Sequence, residues 1–416
     1  MRERIGYLVP EFPGQTHLFF WREIQALEDL GLSIDLFSTR RPPRELMVHE
    51  WAQRAEKRTV YLIPFIIGDV FGTASVLLKA GPLRPIKCLR IAMAVKELTF
   101  AQRVRLAALI LPAAKIAGLA RQAGISHLHV GSCADSANIA LFASILSGLR
   151  YSLSLLGPTL EGYGPNQEAK WEHAAFALIM SDLLYRVATE RLKGHVPAIV
   201  EVVPVGVDLD IMKRPEPYAP WRPGDPCRIY SCGRLNAVKG HVHLIDAVVK
   251  LRQMGIPAQL EIAGEDETGG KGYRLTVERH IADRQAGGFV HLLGAVSEAR
   301  HKACLETAHV FALASLNEGI SVALMEAMAM RTPIVATAVG GNGELIESGV
   351  NGILVKAGDA DVFAEALANV LRNPDLALAL SERSRRKVEE KFDSRNLAAA
   401  FLRCLRASQM PDKANV

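Results

Sequence analysis

The chain has 416 residues, 49% of them apolar and 22% charged, with a formal net charge of +5. That is long and apolar enough for two or three domains with cores of their own, and it excludes a disordered acidic or low-complexity chain. The charge is modest and no recognition motif with interleaved aromatics is visible, so nucleic acid is not expected as a partner.

The first residues pass from charge directly into a short apolar run, Ile5 to Val9, which predicts a strand and no secretory leader. A loop from Pro10 to Thr16 follows, with a single glycine, Gly14. The apolar positions Leu18, Phe19, Ile24 and Leu27 then fit one stripe of a helix ending at Gly31. Ser33 to Phe37 is a second strand. Between Lys79 and Arg121 the chain carries nine lysines and arginines against one acid, Glu97, interleaved with apolar residues. Such a stretch can lie in the interface of an anionic membrane, or it can be the solvated face of core helices. Its most apolar part, Val104 to Ala120, is broken by Arg105, Pro112 and Lys115, so no spanning helix is expected.

His127 to Val130 and Tyr151 to Leu155 read as further buried strands around a helix from Ser136 to Ser147. His127 and His129 on such a strand are expected to be packed or hydrogen-bonded. A proline-rich linker near residues 204–226 precedes a repeat of the same alternation. Strands fall at Cys227 to Ser231, Leu260 to Ala263, Phe289 to Leu293 and His309 to Ser315, with a helix at His241 to Met254. Strand–helix alternation on both sides of a linker predicts an α/β protein of two Rossmann-like domains. The six cysteines, Cys88, Cys133, Cys227, Cys232, Cys304 and Cys404, form no CxxC pair and no zinc-type cluster with histidine. They read as reduced cytosolic thiols, with no metal ligand among them.

Two motifs carry chemistry. In Gly233-Arg234-Leu235-Asn236-Ala237-Val238-Lys239-Gly240, a strand end opens into a glycine-bounded loop before a helix. There Arg234, a planar fork, and Lys239, a point charge, can converge on one diphosphate. In NEGISVALMEAMAM, from Asn317 to Met330, Glu318 lies in a loop and Glu326 one to two turns into a helix with Ser321 at its N-cap position. The carboxylates are then roughly 10 Å apart, able to serve two polyols, and the N–H groups of Gly319, Ile320 and Ser321 at the helix start favour an anion between them.

Followed by PIVAT at Pro333 to Thr337, Gly340-Gly341 and GELIESGVNGILV, this Glu-x7-Glu pattern resembles the retaining, nucleotide-sugar-dependent glycosyltransferases of family 4. FPGQTHLFFWREIQAL is similar to the branch that serves exopolysaccharide and colanic-acid-type polymers. The resemblance implies a GT-B architecture: residues 1–205 an acceptor-side domain, 206–390 a nucleotide-sugar-binding domain, and 391–416 a helix returning to the first domain. It implies that Arg234 and Lys239 bind the donor diphosphate, with Glu318 on sugar hydroxyls, Glu326 on the ribose, and Gly14, Gly319, Ile320 and Ser321 around the donor. Glu318, Arg234 and Lys239 are the catalytic candidates. Thr16, Glu161, Tyr163 and Asn166 are acceptor candidates. No cofactor and no metal are expected, since no DxD motif falls where a divalent ion would be held. The implied partners are a nucleoside diphosphate sugar and a lipid-linked saccharide; the basic stretch from Lys79 to Arg121 adds an anionic membrane surface, placing the protein at the cytoplasmic face of the cell membrane. Leu156 departs from the pattern, which has a histidine there against the transferred sugar. That leaves open a nucleotide-sugar-binding partner subunit of reduced activity, and an epimerase of the same fold is a further alternative.

Overall fold

The computed structural model describes residues 3–14, 17–43, 47, 50–157 and 159–410. Its first half runs β1 (Arg4–Glu11), α1 (Leu18–Asp29), β2 (Ser33–Arg40), α2 (Glu50–Arg58) and β3 (Thr59–Tyr61). Four helices follow, α3 (Asp69–Ala80), α4 (Leu83–Ala94), α5 (Phe100–Ala108) and α6 (Ile110–Ala123). The half closes with β4 (His127–Val130), α7 (Asp135–Ser147), β5 (Arg150–Leu155), α8 (Gln167–Glu172), β6 (Ala177–Ile179), α9 (Asp182–Leu192) and β7 (Val200–Val202). The second half holds β8 (Cys227–Cys232), α10 (His241–Gln253), β9 (Ala258–Ala263), α11 (Tyr273–Asp283), β10 (Val290–Gly294) and α12 (Glu298–Thr307). Then come β11 (Val310–Leu313), α13 (Val322–Ala329), β12 (Ile334–Thr337), α14 (Asn342–Leu345) and β13 (Ile353–Val355). Three helices end it, α15 (Ala360–Arg372), α16 (Pro374–Lys391) and α17 (Ser394–Gln409).

The strands pair in two wholly parallel sheets, ordered β3-β2-β1-β4-β5-β6-β7 and β10-β9-β8-β11-β12-β13. Parallel neighbours require crossovers, and the helices supply them, so the central strands are buried on both faces. Val130, Leu153 and Leu155 in one sheet and Ile229, Ile262 and Val335 in the other are almost fully enclosed. In each sheet the order reverses beside the first strand, between β1 and β4 and between β8 and β11. Chain diverges there on either side of a crevice at the carboxyl ends, the usual place for a ligand.

The C-terminal helices divide between the sheets. α16 packs on α13 and α15, whereas α17 packs on α1 and β7 and sends Leu397, Phe401 and Leu405 into the core that holds Ile5, Ile24 and Leu27. The chain crosses back at Phe392 to Ser394, where it is hydrogen-bonded to the outgoing linker: Val207 N–H to the Phe392 carbonyl (2.8 Å) and Ser394 N–H to the Val207 carbonyl (3.0 Å). The two crossings are thus tied into one short joint.

The basic stretch from Lys79 to Arg121 separates into two kinds of surface. α6 is core: Ala113, Ala114, Ile116 and Ala117 are buried, and Lys115 is half-enclosed against Asp69 at 2.8 Å. The preceding segment is outer, with Ile66 and Ile67 ahead of α3 and Phe71, Leu78, Leu83 and Phe100 on α3 to α5 each 60 to 86% exposed. Among the described residues no helix is long and apolar enough to cross a membrane.

Candidate functional site

Between the sheets lies a cavity of about 470 Å³, lined from both halves. That volume suits a small-molecule ligand. The first half contributes His17, Phe19, Phe20, Gly131, Ser132, Leu156, Gly157 and Tyr163, and the second half Cys232, Arg234, Lys239, Glu298, His301, Glu318 and Glu326.

The loop after β8 is shaped by its own residues. Asn236 accepts the Lys239 N–H at 3.1 Å through its side chain, closing a short 3-10 turn at Ala237–Lys239 before α10. Lys239 Nζ then reaches Glu318 Oε1 at 2.5 Å, and Ser315 Oγ donates to the same oxygen at 2.7 Å. The Leu316 N–H donates to the Val238 carbonyl at 2.7 Å, joining the two functional loops directly. Arg234 also lines the cavity but is part-exposed and paired with the more exposed Glu267 at 2.7 Å. Both cations therefore face the cleft already holding a carboxylate, as an anion site does before its ligand arrives.

Two glycine positions fix Glu318. Gly340 has φ +52°, and a Cβ there would sit 1.7 Å from the Glu318 carbonyl oxygen. Only glycine lets that backbone pass beneath the loop. At Gly319 a Cβ would come within 2.7 Å of the Leu156 carbonyl oxygen, so the loops of the two halves meet at backbone distance. Ser321 occupies the N-cap position of α13, but its side chain makes no capping hydrogen bond there.

Glu326 is buried and held on both oxygens. Arg22 Nη1 donates to Oε1 at 3.0 Å, and His301 Nε2 lies 3.2 Å from Oε2. Burial alone would raise the Glu326 carboxyl, but the nearby His301 imidazolium, then Arg22, outweigh it and hold the group down to about 2. Burial would lower His301; the neighbouring Cys232 thiol and Glu326 carboxylate outweigh that and lift it to about 10. Its Nδ1 meets the Tyr230 hydroxyl at 2.8 Å. Across the cleft, desolvation and then the charge of Arg234 push His17 down to about 4, leaving a neutral imidazole.

The cavity thus brings together Arg234, Lys239, Glu318, Gly319, Ile320, Ser321, Glu326 and Tyr163 from the sequence-derived set. Gly14 lies behind His17 and does not line it, a Cβ there coming 2.9 Å from His17 Nδ1. Thr16 lies outside the described residues. Glu161 is exposed and paired with Arg191, and Asn166 donates to Asn138 at 3.0 Å; neither lines the cavity. His127 and His129 are buried on Ser152 at 2.8 Å each. The chain's two DxD runs, Asp208–Asp210 and Asp359–Asp361, fall in the linker and at the start of α15, away from the lining. Sequence reasoning missed Arg22, Glu298, His301 and His17. Glu298 and His301 stand in no motif, and His17 and Arg22 lie in the stretch similar to the exopolysaccharide branch without a role that the stretch itself gives them; only the meeting of the two sheets makes the four neighbours.

The residues that gather at this cleft from the second half, Arg234, Lys239, Glu318 and Glu326, all fall in a single matched span. Residues 219–387 match the family of glycosyl transferases group 1. WcaL of Salmonella typhimurium, named as a colanic acid biosynthesis glycosyltransferase, is 31% identical over 243 residues, which are 56% of this chain and 57% of WcaL. The amylovoran biosynthesis glycosyltransferase AmsK of Erwinia amylovora is 34% identical over 40% of this chain and 42% of AmsK. The match thus spans about half the length of these relatives. HepE of Anabaena, solved in complex with UDP-glucose, superposes with a TM-score of 0.72 at 15% identity, covering 97% of this chain and 99% of HepE. The sucrose-phosphate synthase of Thermosynechococcus elongatus gives 0.71 at 19% identity, covering 98% and 99%. At such identities the superpositions speak for the fold alone. It is the GT-B fold, two Rossmann-like domains facing a cleft.

Proposed function

We propose that the protein is a retaining, metal-independent glycosyltransferase that moves a sugar from a nucleoside diphosphate to a lipid-linked saccharide in cell-surface polysaccharide synthesis. The observation that carries this reading is the Lys239–Glu318 pair, placed with Arg234 in one interdomain cleft. A diphosphate entering there draws Lys239 away from Glu318 and Arg234 away from Glu267. Glu318, still held by Ser315, is then free to accept from sugar hydroxyls. As the bond from the anomeric carbon to the diphosphate oxygen breaks, negative charge grows on the leaving group, where the two cations and the start of α13 stabilise it. The acceptor oxygen bonds to the same face of that carbon, and its proton passes to a diphosphate oxygen. Glu326 receives the ribose hydroxyls.

The acceptor and its location rest on the likeness to polymer-building relatives and on the outer helices α3 to α5. Their exposed apolar side chains stand among Lys79, Arg84, Lys87, Arg90 and Arg105, which suits shallow insertion into the anionic cytoplasmic leaflet. Leu156, in the cleft wall where the family pattern has histidine, favours a second reading, a partner subunit that binds donor without transfer. A thermal-shift screen of nucleoside diphosphate sugars, then donor hydrolysis in EDTA with the released sugar's anomeric form read by NMR, tests both. Retention without metal is the expected result. Activity abolished by EDTA and restored by magnesium, or inversion, overturns the mechanism, and binding with no turnover across donors and lipid acceptors selects the partner subunit.

A further inference from the structure

Arg22 is a buried cation that the transfer chemistry does not use. It sits on α1 with Phe20, Trp21, Ile24 and Leu27, all packed into the first domain, and its neighbour Glu23 accepts the Tyr7 hydroxyl at 2.6 Å. The helix is therefore seated firmly on the first sheet. Yet both terminal nitrogens of Arg22 leave that domain: Nη1 donates to Glu326 on α13, and Nη2 donates to Glu298 at the start of α12 at 2.7 Å. Only 5% of the residue is exposed, and Nε has no hydrogen-bond partner. A desolvated guanidinium bridging two carboxylates of the other domain persists only while the domains stay close. Opening the cleft breaks both contacts at once, because neither helix can follow the other.

We infer that Arg22 is a positioning residue that couples nucleotide binding to domain closure by orienting the ribose-binding carboxylate from the opposite domain. The inference rests on the assignment of Glu326 to the ribose. Each carboxylate oxygen accepts more than one hydrogen bond. Arg22 hydrogen-bonds Oε1 and the His301 ring stands 3.2 Å from Oε2, so the arginine sets the orientation of the carboxylate while its remaining lone pairs are left for a diol. Without the arginine the closed arrangement is less populated, and apparent affinity falls in proportion to that population. Lysine cannot replace it fully, since one ammonium lacks the planar fork that serves two carboxylates.

The test compares wild type with Arg22→Met, Arg22→Lys and Glu298→Gln, using small-angle scattering with and without UDP or GDP and calorimetry with the same nucleotides. Arg22→Met should enlarge the radius of gyration of the free protein and weaken the nucleotide about tenfold, raising KM more than it lowers kcat. Arg22→Lys should recover part of both. Glu298→Gln, which removes one contact and leaves the buried arginine paired with Glu326, should shift both in the same direction by less, and it serves if Arg22→Met folds poorly. A lower melting temperature with unchanged nucleotide affinity and scattering would overturn the inference. The two readings fail separately. Wild type that binds no nucleoside diphosphate or its sugars overturns the donor assignment and the coupling with it, whereas tight wild-type binding that Arg22→Met and Glu298→Gln leave unchanged overturns the coupling alone.

Discussion

Gly340→Ala should damage chemistry far more than stability. The position has φ +52°, where an L-residue with a Cβ costs roughly 1–2 kcal/mol. The added methyl would stand 1.7 Å from the Glu318 carbonyl oxygen and 2.7 Å from its carbonyl carbon, both backbone atoms that no rotamer change can move aside. Relief therefore requires the Glu318 loop and the Gly340 turn to part by about 1 Å; with the Glu318 loop taking up the shift, a misplacement of that size costs a reaction on the order of 100-fold. The shift carries Glu318 away from Lys239 and Ser315 while leaving the loop of Arg234 and Lys239, which belongs to β8, in place. Donor hydrolysis should fall about 100-fold, nucleoside diphosphate affinity should change far less, and melting should drop by only a few degrees. Hydrolysis at the wild-type rate in a folded Gly340→Ala protein whose crystal structure shows the Glu318 loop displaced would refute the assignment of Glu318 to the sugar.

Arg234→Ala should cost about 2 kcal/mol of nucleotide affinity, as loss of a charge-assisted contact does, and unchanged calorimetric affinity for both UDP and GDP would rule out its diphosphate role. The pH dependence of stability should follow the Glu326–His301 pair, in which His301 also faces Tyr230 and Cys232. His301 is raised to about 10, so its contribution is complete below its unfolded value near 6.5 and is lost as pH climbs through 10; that of Glu326, held down to about 2, is complete above about 4.5 and is lost only as pH falls toward 2. Melting temperatures of wild type and His301→Gln should therefore converge between pH 6.5 and 10, and a constant gap would contradict the charged pair. Vesicle sedimentation should need anionic lipid and weaken in 1 M salt, where the Debye length is about 3 Å. Arg84, Lys87 and Arg90 replaced by Glu, or Phe71 and Leu78 replaced by Ser, should each release the protein without changing nucleotide affinity, and indifference of wild type to anionic vesicles at low salt would remove the membrane reading.

Local order was legible in the chain itself. Strand-length apolar runs such as Cys227 to Ser231 and His309 to Ser315 appear as strands at those places, because alternating buried strands and amphipathic helices leave a signal within each element. The loop from Gly233 to Gly240 and the Glu318–Glu326 spacing were readable for the same reason, since each lies within one strand–loop–helix unit. Gly340 was visible as part of a glycine pair, though not the carbonyl it must pass.

What only the tertiary structure decided are partnerships between units. Lys239 and Glu318 are 79 residues apart, and Arg22 and Glu326 are 304 apart. A charged side chain looks the same in sequence whether it is solvated or bridges two domains, so the likeness of the stretch around Arg22 to one branch of a family left open whether that arginine meets water or a carboxylate. The basic segment divided for the same reason. Lys87 and Lys115 are equivalent in a count of charges, but α6 is drawn into the core between α3 and α7 while α4, which carries Lys87, and α5 stay outside. Composition fixes how many cations a segment carries, and packing fixes which of them meet water, a carboxylate or the opposite wall of the cleft.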